Sequence, residues 1–173
     1  MTAGPEDDRS SSLTIGVGAA IAASAAEVGG LIDETLAGAA LAPASVRCLA
    51  TVEGRSGHAG IRAVAMDRGW DVIAYPVGVL AQVKVPNPSA AVRARTGVPS
   101  VAEAGALHAA RTLGRHAELI VEKRRSARAT VAVARFAPGA GPDAAGSPAP
   151  PSRATPGGPH RDASATVSIE EAQ

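Results

Sequence analysis

The chain has 173 residues, of which 46% are hydrophobic, and a formal net charge of +1. That length supports one core of ordinary size and is too short for two well-buried ones. Aromatic residues make up only 2%, too few for the stacking platforms that bind single strands or RNA loops, and the balanced charge argues against a polyanion as partner. We therefore predict one domain that does not bind nucleic acid.

The compartment can be inferred from cysteine usage and from the first residues. A single cysteine, Cys48, rules out an intramolecular disulfide and a cysteine-based zinc cluster, as is typical of a reducing compartment. Glu6, Asp7 and Asp8 stand where an export signal would need basic residues, and Glu27 interrupts the apolar stretch that follows. We expect a cytoplasmic protein with neither an export signal nor a membrane span.

The end of the chain differs in composition from the rest. Residues 138–173 contain seven prolines among glycine, alanine and serine, and such a segment buries too little apolar surface to offset chain entropy. We predict a disordered N-terminus over residues 1–12, an ordered domain over residues 13–137 and a disordered tail over residues 138–173.

The domain begins with the pattern of a strand, a glycine turn and a helix. Leu13–Val17 is a short apolar run, and Gly16 and Gly18 mark its end. Ser24 and Glu27 have the spacing of a capping box, in which serine and glutamate satisfy free N–H groups at a helix start. The apolar residues that follow recur with helical spacing, which predicts the first helix.

Two further strands alternate with a short helix. Val46–Val52 and Asp71–Tyr75 are apolar runs of strand length. Between them, a short helical pattern ends at Gly69, a residue type that favours helix C-termini. This alternation of strands and helices predicts an α/β domain with helices on both faces of its sheet.

The middle of the chain contains a rigid loop and a second capping box. Prolines on both sides of Asn87 favour an extended backbone, after which Ser89 is placed to cap a helix. Ser100 and Glu103 repeat the capping-box spacing at the start of a helix that runs toward Gly114. We interpret Ser100 and Glu103 as helix caps without a further role.

The last elements of the domain predict an antiparallel hairpin. Two segments rich in β-branched residues, 118–122 and 130–136, are separated by the basic run 123–128, which we interpret as a turn. A terminal hairpin makes the sheet mixed rather than purely parallel. The predicted fold is therefore a single three-layer α/β/α domain with a mixed sheet.

Four motifs occur in a characteristic order along the chain: Ile15-Gly16-Val17-Gly18, Asn87-Pro88-Ser89, the segment 97–104 and Lys123 before the closing strand. In this order they resemble the CobE/CbiG C-terminal-domain family over residues 13–136. The resemblance implies a role in cobalamin biosynthesis. It also implies a relation to the last domain of cobalt-precorrin-5A hydrolase, which opens the ring-A lactone of a corrin precursor and releases acetaldehyde.

Two loops depart from the family pattern. Ala19, Ala20 and Ile21 follow Gly18, where the family commonly has a cysteine and basic residues. In the next loop, the family's Asp-x-Lys-x-x-Glu pattern is matched by Glu53, Arg55 and His58 in this sequence. This sequence lacks those polar groups after Gly18. It is therefore compatible with hydrolysis and equally with binding that involves no catalysis.

A corrin precursor gives the basic run a possible function. Its rim carries acetate and propionate carboxylates, which guanidinium and ammonium groups bind well. Lys123 is the strongest single candidate because it also belongs to a family motif. The residues predicted to contact the ligand are Gly16, Gly18, Arg55, Asn87, Ser89, Lys123 and Arg125.

Catalytic and cofactor sites are less well indicated. His58 or Glu53 are candidate general bases for lactone opening, with Lys123 or Arg125 stabilising the oxyanion. The histidines have no metal-ligand spacing, and Ile21 stands where a dinucleotide fingerprint needs a third glycine. We predict no metal and no cofactor.

Three functions remain open at this point. The leading hypothesis is a protein that binds or processes an anionic corrin precursor. The enzymatic alternative is lactone opening of the hydrolase type. The third alternative is an interaction module that docks on other cobalamin-pathway enzymes through the basic run or the tail.

Overall fold

The computed structural model describes residues 12–138, which form five strands, five α-helices and two short 3₁₀ helices. The strands are β1 (Leu13–Ala19), β2 (Val46–Val52), β3 (Asp71–Tyr75), β4 (Gly114–Arg125) and β5 (Ala129–Pro138). The helices are α1 (Ala25–Gly38), α2 (Ala59–Arg68), α3 (Val77–Ala81), α4 (Ala90–Thr96) and α5 (Val101–Leu113). The segments predicted to be disordered lie outside the described residues, apart from the innermost residue of each.

The strands form one mixed sheet in the order β3-β2-β1-β5-β4. β1, β2 and β3 are parallel to one another, because α1 and α2 return the chain to the same edge between them. β5 pairs antiparallel with both β1 and β4. The predicted terminal hairpin and the mixed character of the sheet are both confirmed.

Helices cover both faces of the sheet, as predicted. Alternate residues of β5 separate the two cores: Val131 and Val133 pack with α1 and α2, whereas Ala132 and Ala134 pack with α5 and α3. The first core contains isoleucine, leucine and valine from β1 and α1, and the second is rich in alanine. The small side chains of the second core allow α5 to lie close to the sheet.

Gly16 marks the closest approach of α5 to the sheet. A Cβ atom on Gly16 would lie 1.7 Å from the carbonyl oxygen of Ala102. Beside it, the Thr14 hydroxyl donates a hydrogen bond of 2.8 Å to the carbonyl of Ala106. Gly16 was expected at the end of the strand in a turn, but β1 continues to Ala19 and buries this residue. Its missing side chain is therefore explained by packing.

Two other boundaries differ from the prediction. The basic run was expected to be a turn, but Lys123 to Arg125 belong to β4, because the ladder to β5 continues through Arg124 and Arg125. Only Ser126 to Arg128 form the turn. The sequence analysis also missed α3, a helix of five residues that follows Pro76.

Substitution of Gly16 by alanine is expected to destabilise the domain severely. The added methyl group has no room against α5, so the helix must move or the backbone must distort, at a cost of about 3 kcal/mol or more. Gly30→Ala is the matched control: Gly30 lies inside α1 with nothing within 4 Å of an added Cβ, and alanine there should stabilise by roughly 0.5–1 kcal/mol. Urea unfolding of both variants measures the difference, and equal stabilities would contradict this account of packing.

Candidate functional site

A cavity of about 770 Å³ opens at the carboxyl ends of β1, β2 and β4. Its wall consists of the loop after β1, the end of β2, one side of α4, the start of α5 and the β4–β5 turn. In open α/β sheets, ligands bind outside the carboxyl ends of strands, and this volume is in the range of small-molecule sites. We call this cavity the basic pocket, after the five cationic residues that line it.

The charge of the basic pocket is entirely of one sign. No aspartate, glutamate or histidine is among its lining residues in the described part of the chain. The cationic residues are Arg55, Arg95, Lys123, Arg125 and Arg128. The net charge of +1 thus conceals a concentration of positive charge in one place, which favours an anionic ligand.

The rest of the lining is apolar or carries hydroxyl groups. Ala19, Ala22, Val52 and Val101 contribute small apolar surfaces. Ile21 is 81% exposed at this site, an unusual position for a large aliphatic side chain. The pocket therefore combines cations with an apolar surface, and a ligand that has both a flat apolar body and several anionic groups would match it.

The structure places the predicted ligand contacts in two groups. Four of the seven predicted ligand contacts line the basic pocket: Gly18, Arg55, Lys123 and Arg125. The remaining three are Gly16, Asn87 and Ser89, which are not among its lining residues. Arg95 and Arg128 line the pocket too, and both were missed as individual contacts, although Arg128 belongs to the basic run.

Asn87 does not line the pocket, but it contacts Lys123, which does. Its backbone carbonyl accepts a hydrogen bond of 2.9 Å from Lys123 Nζ. Its side-chain amide donates to Glu103 Oε1 and to Glu122 Oε2, both at 2.9 Å. Ser89 caps α4, because its hydroxyl accepts from the backbone N–H of Val92. The loop thus contacts the strand that carries the basic residues.

Glu103 makes a contact with β4 that the sequence analysis missed. Ser100 does cap α5, as its hydroxyl accepts from the N–H of Glu103. The Glu103 side chain, however, is fully buried and accepts from Asn87 N, Asn87 Nδ2 and Lys123 N, so the interpretation of Glu103 as a cap alone was wrong. Glu103 is the one acidic residue between Asp71 and Glu118, and this isolation in the sequence could have indicated a specific contact.

Glu27 makes a similar long-range contact at the start of α1. Ser24 caps this helix, but Glu27 Oε1 accepts from Ser126 Oγ at 2.6 Å and from Arg128 N at 2.7 Å. The hydrogen bond from Ser126 is the main reason that the pKa of Glu27 is lowered from its ordinary value, and the bond from Arg128 adds to it. Glu27 is therefore ionised at neutral pH and holds the β4–β5 turn.

Neither candidate general base is among the residues that line the pocket, although His58 contacts Ala20, which does line it. His58 caps α2: its Nδ1 accepts from the N–H of Ile61 at 3.4 Å, and its Nε2 lies 2.8 Å from the carbonyl oxygen of Ala20, to which it donates. Both ring nitrogens are thus engaged with backbone. Glu53 is exposed in a short 3₁₀ helix, Glu53–Arg55. The roles proposed for them in catalysis remain predictions.

Residues 12–138 contain neither a cluster of metal-ligating side chains nor a membrane-spanning helix. No three histidine, cysteine, aspartate or glutamate side chains in this part lie close enough together to hold a metal ion. Within the same residues, no helix combines the length and the apolar character needed to cross a bilayer.

Comparison with known proteins identifies the family. Residues 13–134 match the family described as "Cobalamin synthesis G C-terminus". The chain belongs to this family. It is a cobalamin-biosynthesis protein of the CobE/CbiG type, as the four ordered motifs implied.

Two curated relatives support the assignment. Protein CobE from Sinorhizobium sp is 37% identical over 124 residues, a match that covers 70% of this chain and 79% of CobE. The cobalt-precorrin-5A hydrolase of Priestia megaterium is 34% identical over 124 residues, or 70% of this chain. The match covers only 32% of the hydrolase, so the chain spans about a third of that enzyme.

Two solved structures share the fold of this chain. The crystal structure of CobE, described as a protein from the cobalamin biosynthetic pathway, superposes with a TM-score of 0.68 at 32% identity, covering 73% of this chain and 92% of that one. The cobalamin biosynthesis protein chiG from Agrobacterium tumefaciens matches with a TM-score of 0.55 at 22% identity, covering 72% and 98%. At that identity, the second likeness concerns the fold alone.

Cys48 is expected to be unreactive in the folded protein. It is buried in β2, as predicted, and burial is the main reason that its pKa is raised to about 12. Its thiolate fraction at pH 8 is therefore negligible, and alkylation by iodoacetamide should be at least about a hundredfold slower than in urea-unfolded protein. Because only the unfolded thiol ionises near its ordinary pKa, stability should fall as pH rises above about 8.5. Rapid labelling of native protein, followed by mass spectrometry, would contradict this assignment.

Proposed function

We propose that this protein binds a corrin precursor that carries free carboxylates, holding it in the basic pocket during cobalamin biosynthesis. The observation that carries the proposal is the lining itself: five cations and no acidic residue surround an apolar surface at the carboxyl edge of the sheet. Membership of a cobalamin-biosynthesis family supplies the ligand class. The two together favour an anionic tetrapyrrole over other anions.

The chemistry of such a ligand matches the pocket in two ways. Its acetate and propionate groups can pair with Arg55, Arg95, Arg125 and Arg128, since a guanidinium binds a carboxylate through two parallel hydrogen bonds. The apolar body of the macrocycle can cover Ile21, whose exposed surface would be removed from water on binding. Affinity would thus come from both charge pairing and apolar burial.

The lining favours binding over lactone opening. Hydrolysis needs a group that removes a proton from water, and such a group must lie within hydrogen-bond reach of the substrate. The described residues of the lining offer lysine, arginine, serine and threonine, but neither carboxylate nor imidazole. We therefore propose escort of the intermediate between enzymes, which makes enzymes of the same pathway its partners, and we propose that it acts in the cytoplasm.

Arg125→Ala is expected to weaken corrinoid binding, whereas Arg124→Ala is not. The two residues are neighbours on β4, but only Arg125 lines the pocket. Loss of one charge-assisted contact costs about 1.5 kcal/mol, so the dissociation constant should rise roughly tenfold. Titration with hydrogenobyrinic acid, followed by visible absorption, measures both variants and Lys123→Ala.

Equal weakening by Arg124→Ala would show that overall charge, and not the pocket, governs binding. Absence of binding to the wild-type protein would favour the interaction module.

Acetaldehyde release distinguishes binding from hydrolysis. We expect purified protein to release no acetaldehyde from cobalt-precorrin-5A, because neither a carboxylate nor an imidazole lines the described part of the pocket to remove a proton from water. The assay couples released acetaldehyde to alcohol dehydrogenase and follows NADH, with added acetaldehyde as the positive control. Steady release above that of buffer would overturn the binding proposal in favour of lactone opening.

A further inference from the structure

Two glutamates with the same sequence context meet the same hairpin. Each follows a helix-capping serine by three residues, Ser24 before Glu27 and Ser100 before Glu103. In a capping box, the glutamate would turn back to the N–H of its own serine. Both side chains instead cross from their helix to β4 or to the β4–β5 turn. The same serine–glutamate spacing thus occurs at the start of two helices on opposite faces of the sheet, and both glutamates contact the hairpin.

Glu103 holds the strand end from the α5 side. Its Oε1 accepts from Lys123 N at 3.1 Å and from Asn87 Nδ2 at 2.9 Å, while Oε2 accepts from Asn87 N at 3.2 Å. A buried carboxylate without such donors would be strongly unfavourable, so this geometry is tightly specified. Three N–H groups and the N-terminal dipole of α5 balance the charge.

Glu27 holds the turn from the α1 side. Its Oε1 accepts from the Ser126 hydroxyl and from the backbone N–H of Arg128, and Ser126 Oγ in turn accepts from Ala129 N at 3.0 Å. These bonds fix the three residues of the turn between Arg125 and the start of β5. The contact joins residues about a hundred positions apart in the chain, with separations of 99 and 101.

We propose that Glu27 and Glu103 are positioning residues that fix the hairpin so that Lys123, Arg125 and Arg128 are arranged around the pocket before ligand binds. Glu27 accepts from one hydroxyl and one backbone N–H group, and Glu103 accepts from two backbone N–H groups and one side-chain amide. Neither lines the pocket, so they hold the chain without adding negative charge where the ligand sits. This inference rests on the proposed function and deepens it, since preorganised contacts bind more tightly than mobile ones.

The hydrogen-bond pattern makes the two glutamates respond differently to the same substitution. Glu27 uses only Oε1, so glutamine can keep both contacts through its amide oxygen. Glu103 accepts through both oxygens. In glutamine, the amide nitrogen would face an N–H group of Asn87, and two donors cannot form a hydrogen bond with each other. A general requirement for negative charge would affect both positions alike, whereas positioning affects them unequally.

The test titrates the full chain with a corrinoid that carries free carboxylates, well below the unfolding temperature of every variant. We expect Glu27→Ala and Glu103→Gln to raise the dissociation constant about fivefold or more, with Glu27→Gln within about twofold of wild type. We also expect a shallower dependence of affinity on salt in the two weakened variants, because fewer cations engage the ligand. Val64→Ala, a substitution in the core of α2, is the destabilised control and should bind as wild type does.

The outcomes separate this inference from the proposed function. Unchanged affinity and salt dependence in folded Glu27→Ala and Glu103→Gln would overturn the positioning role while leaving the pocket intact. Weakening of Val64→Ala to the same extent would also overturn it, since stability alone would then explain the loss. If wild-type protein binds no corrinoid, the proposed function and this inference fail together.

Discussion

The close contact between α5 and the sheet is the constraint on which the site depends. The backbone of α5 lies against Gly16, where no side chain fits. This contact fixes the start of the helix, and with it the buried carboxylate of Glu103, which binds the end of β4. The small side chains of the alanine-rich core are therefore needed for the contact between α5 and β4. Larger side chains would lift the helix and move its first turn away from the hairpin.

Most of the fold could be predicted from the sequence because its signals are local. β2 and β3 have the predicted bounds, since each is a short apolar run between breakers. The helix starts at Ser24 and Ser100 were also recognised, because capping depends on residues only three positions apart. By contrast, α3 has one turn and no side-chain cap, so its pattern was too short to recognise.

The site was predictable only in part, because long-range contacts leave little trace in a single sequence. Lys123 and Arg125 were found through their charge, and Lys123 also through a family motif, and both line the pocket. Arg95 lies on α4 and not on the hairpin, and nothing in the sequence around it indicates a contact with the hairpin. Glu103 was assigned to a capping box, since that interpretation satisfied every local rule. Only the folded chain shows that its partners are 16 and 20 residues away.

The place of β5 in the sheet has a consequence for how the domain is made. Among the strands of residues 12–138, β5 is the last in sequence, yet it lies between β1, the first of them, and β4. During synthesis, one edge of β1 therefore stays unpaired until nearly the whole domain has been made, and contacts between distant residues close slowly. The basic pocket needs this final strand and the turn before it. The basic pocket can therefore be completed only after the last of the five described strands has been synthesised.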